Sequence, residues 1–207
     1  MKKSILFAAG LAALVMLFAS CNNDGAEVPA GNEGWTKFLK IDSDPATFSV
    51  DDTQSKFQFK LTNFEVEGDD VLSFCFIPCE TCTGSVTFRD VTNGEKWFYN
   101  QPLPADVGGV LEGVAENCTI TKLDDKWFEC KVKVSNDLKE IGFTFVLPDV
   151  PDGSEVVYLK DFVIVSGDQT IRYKIEEFSV VDSESDYTFE KYVVSSGIRA
   201  QVVSSLD

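Results

Sequence analysis

The chain has 207 residues, a formal net charge of −16 and a sequence pI ≈ 4.3. Acidity on this scale repels phosphate backbones and anionic headgroups, which argues against nucleic acid as a partner. There are 17 Phe and no His. A Ser-His-Asp triad, a Cys-His pair, an imidazole base and a His-ligated zinc are therefore excluded, while carboxylate-pair and lysine chemistry stay open.

Lys2 and Lys3 form a positive start, followed by an uncharged, mostly apolar run over residues 5–19. Its length, about 15 residues, suits a signal peptide and is short for a membrane span. Phe18-Ala19-Ser20-Cys21 resembles the lipobox of bacterial lipoproteins, with Phe18 where that family usually has Leu. The resemblance implies that residues 1–20 are removed and that Cys21 is acylated, becoming a membrane anchor. Losing Lys2 and Lys3 makes the mature chain more acidic still. Residues 21–34 are small, polar and turn-forming, without hydrophobic period, and read as a flexible tether. Leader and tether together are similar to lipoproteins of the Bacteroidetes, which implies attachment at the outer membrane or cell surface.

From Trp35 onward the pattern is that of strands, and residues 35–207 are read as one all-β domain. Phe57, Phe59 and Leu61 alternate with Lys56, Gln58 and Lys60. Residues 71–77 are nearly continuously apolar, as in a strand buried on both faces. Val86 and Phe88 alternate with Thr87 and Arg89, and Asn93-Gly94 then predicts a two-residue type I′ hairpin turn into 96–100. Residues 118–122 lead through a Leu123-Asp124-Asp125 turn to 126–134. Further strands are expected at 141–145, 156–165, 170–181, 187–194 and 198–203. Roughly ten short strands with Gly, Pro and Asp turns predict an antiparallel two-sheet sandwich of jelly-roll type, with a barrel as the rival.

Outside the cytoplasm disulfides are permitted. A three-residue turn at 123–125 places Cys118 opposite Cys130, predicting a cross-strand bridge. Cys79 and Cys82, in a loop after Pro78, are placed to close a second, smaller one. Cys75 alternates within an apolar run and reads as a small buried hydrophobe. Cys79-Glu80-Thr81-Cys82 precedes a strand rather than opening a helix, against a thioredoxin-like role. The pair 118/130 is too widely spaced for a four-cysteine zinc site. Asp182, Glu184 and Asp186 alternate, as do Asp42 and Asp44. A structural calcium is the competitor to a solvated acidic loop there, and an EF-hand is excluded for want of its glycine and terminal glutamate. No cofactor is expected.

In 126–134, Phe128, Cys130, Val132 and Val134 form an apolar face, so Trp127, Glu129, Lys131 and Lys133 point the other way. A Trp on a polar face marks a contact site unless a loop or edge covers it. Trp97 and Tyr99 share a face. The two-residue turn sets Phe88 opposite Tyr99 and turns both toward the core, and a bulge would reverse this.

The run Val156-Val157-Tyr158-Leu159-Lys160-Asp161-Phe162 resembles the late strand of jelly-roll carbohydrate-binding modules of the galactose-binding-like sandwich. Asp161 matches the second acid of their pattern and Lys160 replaces the first. The resemblance, about ten residues long, implies a noncatalytic module binding a glycan at an aromatic-lined surface. Trp127 would be the stacking ring, Glu129 and Lys131 the polar contacts, and Trp97 and Tyr99 secondary. The alternative is an adhesin-like or assembly subunit binding a cell-surface protein through exposed edges. A carboxylate-pair glycosidase is the third reading, for which the sequence selects no pair.

Overall fold

The computed structural model describes residues 37–43, 56–80, 85–94, 96–115, 117–147, 154–173, 179–181 and 198–206. The expected leader, tether, Cys21, Trp35, Asp44, Cys82, acidic run 182–186 and strand 187–194 lie outside the described residues.

Every regular element among the described residues is a strand: β1 (Phe38–Ser43), β2 (Lys56–Thr62), β3 (Val71–Ile77), β4 (Ser85–Asp90), β5 (Lys96–Pro102), β6 (Val110–Glu112), β7 (Cys118–Lys122), β8 (Phe128–Lys133), β9 (Ile141–Val146), β10 (Val156–Ser166), β11 (Gln169–Arg172), β12 (Ser179–Val181) and β13 (Ile198–Val203). They form two antiparallel sheets. One runs β13-β1-β10-β3-β8-β7-β6, with β11 also on β10; the other runs β12-β2-β9-β4-β5. Four strands of each, β1-β10-β3-β8 and β2-β9-β4-β5, alternate along the chain as two interlocked Greek keys. That is the order of a jelly roll, and the barrel is set aside.

Alternation explains which face each strand buries. In β2, Phe57, Phe59 and Leu61 enter the core; in β9, Phe143 and Phe145 do so beside them. From the larger sheet Phe74, Phe76, Cys130, Val132, Leu159 and Phe162 meet them. Each buried phenylalanine contributes about 1.5–3 kcal/mol of transfer free energy. The outward residues of the smaller sheet, Gln58, Lys60, Arg89 and Thr144, are also buried.

Two irregularities shift the sheet from its expected register. Between β4 and β5, Phe88 pairs with Tyr99 as expected, but Arg89 pairs with Trp97. Phe98 is the extra residue of a bulge, so Tyr99 and Phe98 enter the core while Trp97 is turned out. The type I′ turn is not formed, since Gly94 but not Asn93 has positive φ. A longer loop connects the strands instead, and the Asp90 carboxylate accepts from the Asn93 backbone N–H and side-chain amide at 2.9 and 2.8 Å. In β10, Asp161 has φ 55° and lies at a register shift between Lys160 and Val163. The bulge brings Phe162 inward, two residues after the outward-facing Lys160.

Phe74→Ala is expected to cost about 3–5 kcal/mol of stability, because the cavity it leaves is bounded by strands of both sheets. Trp97→Ala should change it by no more than about 0.5 kcal/mol. Urea denaturation followed by circular dichroism checks both.

Candidate functional site

The face assignment for β8 holds: Phe128, Cys130 and Val132 are in the core, and Glu129 and Lys131 face out, bridged at 3.2 Å. Trp127 lies on the outer side as expected, but it is not a stacking platform open to solvent, being only 2% exposed. Asp124 causes its placement. One carboxylate oxygen accepts from the backbone N–H groups of Lys126 and Trp127 at 2.8 and 2.7 Å. Phe38 then stacks on the indole with centroids 5.6 Å apart, and the Lys160 ammonium sits 4.2 Å from its centroid. Phe38, Cys75, Trp127 and Tyr158 form a second small apolar cluster on the outer face of the larger sheet, with Val203 and Leu206 packed on it. Burial lowers the Lys160 pKa against the opposing pull of Asp161 and Asp124. Burial likewise raises that of Asp161.

Trp97 and Tyr99 do not share a surface. Trp97 is 42% exposed and Tyr99 is fully buried. The Tyr99 hydroxyl donates to the Pro102 carbonyl at 2.6 Å, and burial pushes its pKa up to about 12.

Neither predicted disulfide is formed, since Cys79, Cys118 and Cys130 are not disulfide-bonded. The β7–β8 turn lies one residue later than expected: Leu123 N–H donates to Trp127 O, and Lys122 pairs with Phe128. This slides the register by two. Faces are preserved, but Cys118 now opposes Val132, and Ile120 opposes Cys130. The two cysteines become diagonal neighbours rather than an opposed pair, with their thiols in hydrogen-bond contact. Burial pushes the Cys130 thiol well up, and the adjacent Cys118 thiol adds to this. Cys75 is buried as expected and is itself disulfide-bonded, to a partner outside the described residues. Asp42, weighed as a cation ligand, accepts instead from Arg199 at 2.6 and 3.1 Å.

A concave site lies beside the Trp127 cluster, at the end of the sandwich where β10 begins. There β3 ends, β7 turns into β8, and the chain enters β10. The resulting cleft of ≈ 660 Å³ is within the usual range for small ligands. Phe128, Tyr158, Cys79 and Glu155 on its lining are buried, whereas Glu80, Asp125, Lys126 and Ser154 are exposed at its rim. Lys40, beside Tyr158 in the sheet, and Leu206 complete one wall. None of the five residues expected to hold a ligand lines it. The signal that points to it is positional: Glu80, Asp125-Lys126 and Ser154-Glu155 all flank strand ends, which the antiparallel order gathers at one end of the sheet.

No protein-family model matches the chain, and no curated protein sequence is similar to it.

Alkylation of the denatured but unreduced protein is expected to modify Cys79, Cys118 and Cys130 and to spare Cys75, as read by peptide mass spectrometry. Tyr99 supplies a pH test. Its folded pKa lies above the unfolded value of about 10, so its contribution is intact below that pH and is lost as pH rises toward about 12. Tyr99→Phe should flatten the loss of stability over this window, measured from urea midpoints at about pH 9 and about pH 11.

Proposed function

We propose that this chain is a membrane-anchored bacterial lipoprotein of Bacteroidetes type, attached at the outer membrane or cell surface through Cys21. Its sandwich binds a glycan without transforming it. The observation that carries the reading is the end cleft, with buried Phe128 and Tyr158 on its lining and acidic, basic and hydroxyl groups at its rim. Sugars present apolar C–H faces and a ring of hydroxyls, and such a lining complements both. Val156 and Tyr158 belong to the run that resembles carbohydrate-binding modules, so the resemblance and the cleft converge on two residues. The absence of histidine from the chain removes the imidazole that much acid–base catalysis relies on. The site moves from the Trp127 stack to the neighbouring cleft, with Trp127 supporting it from beneath.

A glycan array probed with the full-length lipoprotein in detergent tests the reading. Saturable binding to one glycan class is expected, weakened at least about tenfold by Asp125→Ala with Lys126→Ala and unchanged by Trp97→Ala. Cys21→Ser should release the protein from the membrane fraction. Retention of no glycan by folded protein, or loss of binding on Trp97→Ala alone, would refute the cleft and turn the search to protein partners.

A further inference from the structure

We infer that Cys75 is bridged to Cys82, and that this bridge holds the Cys79-Glu80 wall of the cleft to the sheet that carries Trp127 and Tyr158; the second part rests on the cleft reading above. The chain has six cysteines. Cys79, Cys118 and Cys130 are not disulfide-bonded, and Cys75 is. Cys21 and Cys82 are the two that remain as its partner. Two arguments choose between them. A ring from Cys21 to Cys75 would take in the whole of β1 and β2, and the entropy cost of closing a ring rises with its length. Acylation of Cys21, on the lipoprotein reading, also occupies its sulfur. Cys82 stands on the connection between β3, which ends at Ile77, and β4, which begins at Ser85. A chain leaving β3 two residues after Cys75 has length enough to return to the Cα separation a disulfide needs, about 5.5–6 Å. Cys82 is the residue that sequence spacing paired with Cys79. Pairing it with Cys75 leaves the Cys79 sulfur unbridged on the cleft lining.

The consequence for the cleft follows from where Cys75 is fixed. It pairs with Glu129 of β8 and Lys160 of β10, in the middle of the larger sheet. It is 2% exposed, packed in one cluster with Phe38, Trp127 and Tyr158. Between the two bridged positions lie Ile77, Pro78, Cys79 and Glu80, all on the cleft lining. The connection from β3 to β4 also passes from one sheet to the other. A bridge turns its first part into a small ring pinned to the larger sheet. Ordering that stretch before a ligand arrives removes an entropic cost from binding.

The pairing is tested on the full-length protein, denatured without reductant at mildly acidic pH, where thiol exchange is slow, and blocked with a maleimide. Peptide mass spectrometry is expected to find Cys75 linked to Cys82. In Cys82→Ser the Cys75 thiol should become modified, and in Cys21→Ser it should stay unmodified. These readings are made on denatured protein, so they decide the pairing whether or not a variant folds. A Cys75–Cys21 link, a Cys79–Cys82 link, or a Cys75 thiol freed by Cys21→Ser overturns the inference. The effect on the cleft is read first without ligand, by amide hydrogen exchange of Cys82→Ser, with mild reduction of the folded parent as the second route. Peptides covering 77–80 are expected to exchange at least about tenfold faster, with those of β9 unchanged. Unchanged exchange at 77–80 overturns the second part. Affinity for the glycan class bound on the array should then fall at least about threefold. Failure of every glycan on the array overturns the glycan-binding reading and leaves the bridge to be decided by the mapping and the exchange.

Discussion

Phe74 touches rings from both sheets at once. Its ring meets Phe162 of its own sheet at 5.2 Å, and Phe88 and Phe143 of the opposing sheet at 5.4 and 5.5 Å. Phe76, two residues on, repeats the pattern against Phe88 and Phe128. Edge-to-face contacts of this kind have preferred geometries as well as buried area, so they set how the two sheets align and not merely that they adhere. The stacked pair Phe59–Phe143 at 4.9 Å extends the cluster across the smaller sheet. An abundance of phenylalanine in a strongly acidic chain is thereby accounted for: the core is aromatic and most of the charges stand outside it.

The cleft depends on that alignment. Its lining comes from five separated stretches, the end of β3, the turn before β8, the start of β10, Lys40 of β1 and Leu206, and Phe128 belongs both to the core and to the cleft. The Asp161 bulge matters for the same reason. It lets β10 send Leu159 and Phe162 inward while Tyr158 and Lys160 remain on the outer face, where Tyr158 lines the cleft and Lys160 caps Trp127. Asp124 does similar work in the β7–β8 turn through its two backbone acceptor contacts. The site is thus placed by a rigid aromatic core and trimmed by two acidic residues at irregular backbone positions.

Much of the architecture was legible because periodicity and burial coincide. Phe57, Phe59 and Leu61, or Phe128, Cys130 and Val132, declare their faces by position alone, and the two-sheet jelly roll follows from many such strands with short connections. Register was legible only up to the turns. At Asn93-Gly94 a longer, Asp90-anchored loop replaced the tight turn, and the Phe98 bulge separated Trp97 from Tyr99. At Asp124 a turn one residue later kept every face and still set Cys118 diagonal to Cys130 instead of opposite it. The exposure of Trp127 was not legible at all, because alternation tells which side of a sheet a residue takes and not what packs upon that side. Phe38, from 89 positions earlier in the chain, supplies the cover. The cleft escaped notice for a related reason: its residues share no motif and meet only through the strand order.

The most direct test of the account is a titration of the isotopically labelled protein with the best-binding glycan, followed by two-dimensional amide and indole NMR. Shifts should concentrate at Glu80, Asp125, Lys126, Ser154, Glu155 and Tyr158, with the Trp97 indole unmoved. Shifts centred on Trp97, or spread along the β6 edge with the cleft silent, would contradict the account.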